Sequence, residues 1–190
     1  MKLIPTELQG VVIVEPTLFG DERGWFYESF NEPKFHEGLR NLGLPVPRPF
    51  VQDNHSRSAR GVLRGLHYQL PPHPQGKLVR VVRGRVWDVA VDVRANSPTL
   101  GRWVGVELTE ENRRQLWIPE GFAHGFVALE EGTEFLYKTT DVYAKSCERA
   151  IRWDDPALGI DWPMAGIATP SLADKDAHAP CWSDAELFYD

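Results

Sequence analysis

The sequence predicts an all-β fold, a sandwich or small barrel, on three observations. Gly and Pro punctuate the chain about every ten residues, short runs rich in β-forming residues lie between them, and one segment alone has clear helical periodicity. Short strands with regular turn signals are typical of these two architectures. At 190 residues the chain is long enough for one domain with a sizeable core, expected to span residues 1–190.

The first third of the chain is predicted to hold strands and one helix. Strands are expected within "GVVIVEPTLF" (10–19), "GWFYESF" (24–30) and "RPFVQDNHS" (48–56). A helix is expected over 32–43, because Phe35, Leu39 and Leu42 recur at helical spacing. Gly43 is a natural stop for this helix.

The rest of the chain continues the β pattern. A hairpin is predicted over 77–94, where two alternating apolar runs flank Arg83-Gly84. One capped helical turn is predicted at "TEEN" (109–112), and the irregular, Trp-rich C-terminal third is expected to wrap around the outside. Further strands are expected within "RWVGVEL" (102–108), "RQLWIPEGFAHGFVAL" (114–129) and "EFLYKTTDVY" (134–143).

Composition and charge argue against several classes of protein. No apolar run approaches the roughly 18 residues of a membrane span, and no apolar stretch of a secretory signal follows the N-terminus. The net charge of −6 disfavours a nucleic-acid partner, although the basic residues between 57 and 85 allow a small anionic ligand. Cys147 and Cys181 are too few for a disulfide scaffold, so the cytosol is the expected compartment.

The segment "VLRGLHYQL" (62–70) has the composition of a buried strand, yet it contains Arg64 and His67. Burying a guanidinium without a partner is costly, so these residues need an explanation. Side chains three positions apart face opposite sides of a regular strand. Gly65 between them could permit a β-bulge that re-aims one of them.

Strand alternation places three more polar side chains on apolar faces. Lys77 shares its face of the strand with two valines. His124 falls on the same face as Phe126, and Tyr137 on the same face as Phe135. A single His or Tyr in such a place is usually a hydrogen-bonded core residue, whereas Lys is almost never fully buried without a partner. Lys77 is therefore the hardest of the three to explain by packing alone.

The segment "IPEGFAHGF" (118–126) contains Pro119, Gly121 and His124 with the spacing P-x-G-x-x-H, which resembles the second motif of cupins, small jelly-roll barrels. The first cupin motif supplies H-x-H and a following Glu, which bind a transition metal. Here the matching place holds His67 and, two positions later, Gln69, with no Glu nearby. Two imidazoles beside a Lys make a poor metal site, because the ammonium repels the ion. A cupin-type jelly-roll barrel with neither metal nor cofactor is therefore expected.

Over almost its whole length the chain resembles the dTDP-4-dehydrorhamnose 3,5-epimerase family, whose members are metal-free cupin homodimers. The resemblance implies an isomerase of dTDP-L-rhamnose biosynthesis that converts dTDP-4-dehydro-6-deoxy-D-glucose to dTDP-4-dehydro-L-rhamnose. The matched segments, in the correct order, are "GDERGWFYESFN" (20–31), "VQDNHSRS" (51–58), "VLRGLHYQ" (62–69), "GKLVRVVRGRVWDVAVDVR" (76–94), "IPEGFAHGF" (118–126), "FLYKTTDVY" (135–143), "ERAIRWDDPALGIDWP" (148–163) and "LADKDAHAP" (172–180).

The resemblance implies acid–base epimerisation at C3 and C5, the two carbons that flank the C4 ketone. It assigns His67 as the base and Asp176 as the residue that orients the imidazole. Tyr137 becomes the opposing acid, and Lys77 stabilises the enolate oxygen that each deprotonation produces.

The resemblance also implies a binding site for the nucleotide sugar. Arg64 or His124 is expected to assist at the enolate oxygen, and the planar fork of Arg64 suits a phosphate, which accounts for a guanidinium on this strand. Arg23 and Glu28 come from the neighbouring subunit in the family, so a homodimer with shared active sites is expected. The implied binding residues are Arg23, Glu28, Gln52, Asp53, Asn54, Arg64, Lys77, His124, Glu148 and Lys175.

Three alternatives stay open at the level of sequence. A related enzyme would invert one carbon or move the ketone between C3 and C4, and loss of Tyr137 or of the His67–Asp176 pair would favour it. A metal-dependent cupin oxygenase would need the ligand that Gln69 replaces. A sugar-binding or storage cupin would keep the barrel without needing this set of polar residues. No pattern in the sequence indicates where the product sugar is used, which nucleobase is preferred or what the tail after Pro180 does.

Overall fold

Two antiparallel β-sheets face each other in the computed structural model, which describes residues 1–189. The six-stranded sheet has the order β1 (Lys2–Pro5), β2 (Val12–Glu15), β10 (Gln115–Ile118), β7 (Lys77–Arg83), β12 (Thr133–Thr139) and β5 (Gln52–Ser58). The five-stranded sheet has the order β13 (Glu148–Ala150), β6 (Leu63–Gln69), β11 (Phe122–Ala128), β8 (Arg85–Asp92) and β9 (Trp103–Thr109).

Four short elements complete the fold, besides the helix α1 (Glu32–Asn41). β3 (Phe19–Asp21) and β4 (Gly24–Phe26) pair only with each other and form a two-stranded arm. The C-terminal segment contains α2 (Asp174–Ala177) and a 3₁₀ turn, Trp182–Asp184. This is a cupin-type jelly roll with a few short helices, which confirms the predicted fold class.

An apolar core fills the space between the two sheets. Val79 and Val81 of β7 contribute to it from one side, and Val86 and Ala90 of β8 contribute from the other. Alternation along β7 puts Lys77 on this inner face with the two valines, as predicted. The space between the sheets is thus mainly apolar, and it carries a charged side chain where β7 begins.

The predicted hairpin over 77–94 is wrong. Its two halves lie in different sheets: β7 pairs with β10 and β12, whereas β8 pairs with β9 and β11. Gly84, at φ +77°, turns the chain from one sheet to the other. Strands that face each other across a core bury the same alternate positions as strands paired edge to edge, so alternation does not distinguish the two arrangements.

α1 covers the outer face of the six-stranded sheet and confirms the predicted helix. The side chain of Asn31 caps its first turn, and Gly43 follows its last turn at φ +70°. Phe35 and Leu39 are wholly buried in a cluster with Trp117. Neither α1 nor any other helix among residues 1–189 is long and apolar enough to cross a membrane.

The two predictions for irregular segments had different outcomes. The C-terminal third covers the outer face of the five-stranded sheet as predicted, and its Trp162 and Phe188 are buried in one cluster with Val89. The predicted helical turn at 109–112 is wrong: Thr109 ends β9, and residues 110–112 form a non-helical turn. Thr109 still caps it, since its Oγ1 accepts a hydrogen bond from the backbone N–H of Asn112 at 2.9 Å.

Candidate active site

A cavity of about 380 Å³ opens between the two sheets. Its wall is built by both sheets together with α2, so the groups that line it come from distant parts of the chain. The predicted site residues that line this cavity are Asn54, Arg64, His67, Lys77, His124, Tyr137, Glu148, Lys175 and Asp176.

A β-bulge in β6 brings both Arg64 and His67 to the cavity. Along β11, His124 pairs with His67 and Phe126 pairs with Arg64, so two residues of β6 stand opposite one of β11. Gly65 lies in this bulge at φ +126°, and a Cβ there would be 2.5 Å from the backbone of β11. Glycine fits where a side chain does not, and the predicted bulge is confirmed.

His67 is held by a buried carboxylate. Its Nε2 lies 2.5 Å from Oδ1 of Asp176, whose side chain is 2% exposed, while the His67 side chain is 23% exposed. The other oxygen of Asp176 accepts a hydrogen bond from the backbone N–H of Gly65 at 3.4 Å. These contacts fix the imidazole and leave Nδ1 of His67 for a ligand in the cavity.

A second His–Asp pair lies beside the first. His124 Nε2 is 2.9 and 3.1 Å from the two carboxylate oxygens of Asp88, which is wholly buried. Burial raises the pKa of Asp88, and the neighbouring His124 and Lys77 oppose that rise. Sequence reasoning missed Asp88, although its place on the inner face between Val86 and Ala90 was a usable signal.

Lys77 and Tyr137 enter the cavity from the six-stranded sheet, opposite the two His–Asp pairs. Lys77 is 6% exposed, and burial lowers its pKa to about 8 although the charges of Asp88 and Glu148 oppose the shift. Burial also raises the pKa of Tyr137, an effect that Lys175 partly offsets. The Tyr137 hydroxyl therefore keeps its proton at neutral pH and is available as a donor.

Charged and polar groups line the rest of the cavity. Burial acts to raise the pKa of Glu148, but hydrogen bonds from Lys175 Nζ (2.7 Å) and the Tyr143 hydroxyl (3.0 Å) hold it below its ordinary value. Arg64 donates from Nε to Ser58 Oγ at 3.3 Å, and its terminal nitrogens have no protein partner among residues 1–189. Sequence reasoning did not single out Tyr143, which lies on the loop after β12.

Some predicted binding residues do not line this cavity. Asp53 points from β5 to the other side, where it pairs with Lys138 at 2.9 Å. The Oε1 of Gln52 accepts a hydrogen bond from the loop after β12, next to the cavity wall. Arg23 lies on the arm and is 85% exposed, and Glu28 pairs with a lysine of α1. In this chain Arg23 and Glu28 stay outside the cavity.

Gln69, which stands where a metal-binding cupin has its second histidine, has a structural role. Gln69 donates from Nε2 to the carbonyl of His73 at 2.6 Å and accepts at Oε1 from the backbone N–H of Ala144 at 2.9 Å. Its amide therefore joins two loops. Within the described part of the chain, no three His, Cys, Asp or Glu side chains are grouped so as to hold a metal ion.

Comparison with known proteins gives one consistent family. A family model described as dTDP-4-dehydrorhamnose 3,5-epimerase matches residues 5–184. The dTDP-4-dehydrorhamnose 3,5-epimerase of Shigella flexneri is 56% identical over 188 residues, and that of Pseudomonas aeruginosa is 55% identical over 188 residues. Each of these alignments covers 99% of both proteins.

Solved structures agree with the sequence relatives. The crystal structure of dTDP-6-deoxy-D-glucose-3,5-epimerase from Legionella pneumophila, in complex with dTDP-4-keto-L-rhamnose, matches with a TM-score of 0.91 and 48% identity. That match covers 100% of this chain and 98% of the Legionella chain. A 3'-monoepimerase from Streptomyces bikiniensis, in complex with dTDP-quinovose, matches with a TM-score of 0.86 and 34% identity, covering 100% and 93% of the two chains.

Proposed function

The chain belongs to the dTDP-4-dehydrorhamnose 3,5-epimerase family, and we propose that the cavity between its sheets performs the family's reaction with its own His67, Tyr137 and Lys77. The protein is an isomerase that converts dTDP-4-dehydro-6-deoxy-D-glucose to dTDP-4-dehydro-L-rhamnose. One observation carries the assignment of roles: an oriented imidazole and a protonated phenol enter the same cavity from opposite sheets. Inversion of a carbon needs such a pair, because the proton leaves one face and returns to the other.

His67 acts as the base. Its Nε2 is bound to Asp176, so Nδ1 accepts the protons at C3 and C5 in separate steps and releases each to solvent before the next. The carboxylate of Asp176 keeps the ring in one tautomer and stabilises the imidazolium that forms. A positioned base of this kind contributes roughly 10²- to 10⁴-fold to the rate.

Lys77 stabilises the charge that develops on the C4 oxygen. Both carbons flank one ketone, so each deprotonation gives an enolate with its negative charge at the same oxygen. An ammonium held in a buried place, as Lys77 is, acts on that charge with little screening by water. Tyr137 then returns a proton from the face opposite His67.

The nucleotide part of the substrate lies along the charged groups of the wall. The terminal nitrogens of Arg64 are free to form a bidentate contact with the diphosphate. Lys175 adds a second positive charge, which Glu148 keeps in position at 2.7 Å. Asn54 and Gln52 belong to the β5 side of the site.

The protein works as a homodimer in which the arm of one subunit completes the site of the other. The arm exposes Phe19, Trp25 and Phe26, which are 63%, 59% and 68% exposed in the single chain. A two-stranded ribbon is marginally stable alone, and exposed aromatic clusters of this kind mark protein contacts. Arg23 and Glu28, on the arm and just after it, are placed to reach a partner rather than their own cavity.

The compartment is the cytosol. Cys147 and Cys181 are both free thiols, as a reducing compartment requires.

Proton NMR in D₂O tests the function directly. The chelator-treated protein is incubated with dTDP-4-dehydro-6-deoxy-D-glucose, and a reductase traps the inverted products. Deuterium at both C3 and C5 is expected. Exchange at one carbon alone would move the protein to the single-carbon epimerases, and no exchange would overturn the proposed reaction on this substrate. The same assay is run on His67→Ala, which is expected to show no exchange. His36→Ala, a change on α1 outside the cavity, is the matched control and is expected to exchange like the wild type.

A further inference from the structure

Asp88 is a carboxylate placed inside the apolar part of the fold. It lies on β8 between Val86 and Ala90, both members of the core between the sheets, and it is wholly buried. It does not line the cavity, so it does not contact a substrate there. A charge in such a place is expensive unless it is paired, which raises the question of what the charge stabilises.

Asp88 is hydrogen-bonded to one residue that lines the cavity and acts through its charge on a second. Both of its oxygens lie within hydrogen-bond distance of His124 Nε2, at 2.9 and 3.1 Å. Lys77, from the facing sheet, interacts with it through charge. Asp88 is thus a single buried anion behind two nitrogen-bearing side chains that point into the site.

Two carboxylates act on the charge of Lys77, Asp88 and Glu148. Glu148 is already hydrogen-bonded to Lys175 and Tyr143, whereas among residues 1–189 the side chain of Asp88 is hydrogen-bonded to His124 alone. The titratable groups that share the cavity with Lys77, taken over all surrounding elements, are His55 of β5, Arg64, His67 and Tyr68 of β6, His124 of β11, Tyr137 of β12, Tyr143 of the loop after it, Glu148 of β13, and Lys175 and Asp176 of α2.

We propose that Asp88 is a positioning residue for the enolate site: it fixes the ring of His124 and keeps Lys77 an ammonium where the C4 oxygen becomes charged. The inference rests on the proposed function for its catalytic meaning. Without the anion, Glu148 alone opposes the effect of burial on Lys77, and the balance moves toward the neutral amine, which cannot stabilise an enolate.

Asp88→Asn tests the proposal, because it removes the charge and keeps the size and one acceptor oxygen for His124. The titration of Lys77 is read from NMR of ¹³C-lysine-labelled protein, assigned with Lys77→Gln. We expect it to move to lower pH by about one unit or more in Asp88→Asn. The alkaline limb of kcat/KM moves with it, so activity near pH 8 falls about fivefold.

The matched control is Asp92→Asn on the same strand. Asp92 is also wholly buried, and its oxygens are bound by Arg94, Ser97 and Thr99 instead of cavity residues. Asp92→Asn is expected to destabilise the protein without moving the titration of Lys77. An unchanged titration in Asp88→Asn would overturn the proposal and leave Asp88 a packing residue.

The reverse coupling gives a second test if Asp88→Asn does not fold. Interacting sites shift each other's titration reciprocally, so Lys77→Gln is expected to move protonation of the Asp88 carboxyl to higher pH. NMR of ¹³C-aspartate-labelled protein measures it, and an unmoved carboxyl would overturn the proposal. Both titrations are read without substrate. Failure of D₂O exchange would therefore overturn the proposed reaction alone, and an unmoved titration would overturn the role of Asp88 alone.

Discussion

Lys77 is the residue whose burial most directly sets the conditions of the reaction. Its pKa is lowered to about 8 by burial, and the ammonium is the form that stabilises the enolate. Activity is therefore present below this pKa and is lost as the pH rises through about 8. The measurement is kcat/KM for exchange at C3 and C5 across the pH range. A profile that stays flat to about pH 10 would contradict the role of the ammonium.

Lys77→Arg is the companion variant for this profile. Arg keeps its charge throughout the accessible range, so the alkaline decline near the pKa of Lys77 disappears. The absolute rate still falls, because the planar guanidinium does not place its charge where the ammonium does.

Proton abstraction and nucleotide binding depend on different residues of the cavity. We expect His67→Ala to abolish turnover, because it removes the imidazole that Asp176 orients and that serves as the base, while dTDP binding measured by calorimetry survives on Arg64 and Lys175. Near-full activity in His67→Ala would show that another group is the base.

Tyr137→Phe separates the two halves of each inversion. Exchange of a substrate proton with D₂O needs the base alone, whereas the inverted product also needs the acid on the other face. Product formation is therefore expected to fall more than exchange, when both are followed in one NMR sample. Equal loss of the two would contradict the role of Tyr137 as the opposing acid.

Residue positions were predictable where a strand face decides them. Alternation alone put Lys77, His124 and Tyr137 on inner faces, and the cavity contains all three. The same alternation puts Asp88 on the inner face of β8 with Val86 and Ala90, although it was not among the predicted site residues. Asp53 was carried over by resemblance, and its strand position turns its side chain away from the cavity.

At the scale of elements, the bulge in β6 decides whether the site exists. We expect Gly65→Ala to destabilise the protein by about 3 kcal/mol or more, since it adds a strained backbone at φ +126° to a clash with β11. Activity should fall further than stability explains, because Arg64 and His67 lose their common direction. Thermal unfolding and kcat/KM of the folded fraction measure the two effects.

Gly43→Ala is the matched control for the bulge. Gly43 also has a positive φ, +70°, but a Cβ there meets nothing within 4 Å. It should cost about 1 kcal/mol and leave kcat/KM unchanged. If Gly65→Ala cost no more than Gly43→Ala, the bulge would not depend on glycine.

The same strands show where sequence reasoning stops. The bulge was predictable from three neighbouring residues, because the conflict between Arg64 and His67 is local. The partners of β7 could not be predicted, because β10 and β12 lie some 30 to 60 positions away along the chain. Alternation gives the buried face of a strand and does not indicate which sheet the strand joins. The bulge and the side chains it directs could therefore be predicted from the sequence, whereas the sheet to which each strand belongs became known only from the folded structure.

At the scale of the whole molecule, the proposed exchange of arms predicts that two defective variants restore each other's activity in a mixed dimer. Arg23→Ala removes an arm residue and His67→Ala removes the base, and each homodimer should lose most of its activity. In a mixed dimer, one site combines the intact cavity of the first variant with the intact arm of the second. The other site combines both defects.

Mixing the two inactive variants after unfolding and refolding is therefore expected to restore about one quarter of wild-type activity, since half of the random dimers are mixed and each has one intact site. Activity measured well below KM is the readout, because Arg23 acts through binding. If each arm served its own chain, both sites of every mixed dimer would be defective and mixing would restore nothing. A mixture of Tyr137→Phe with His67→Ala is the control: both residues line the same cavity of one chain, so the mixed dimer has no intact site whether or not the arms are exchanged.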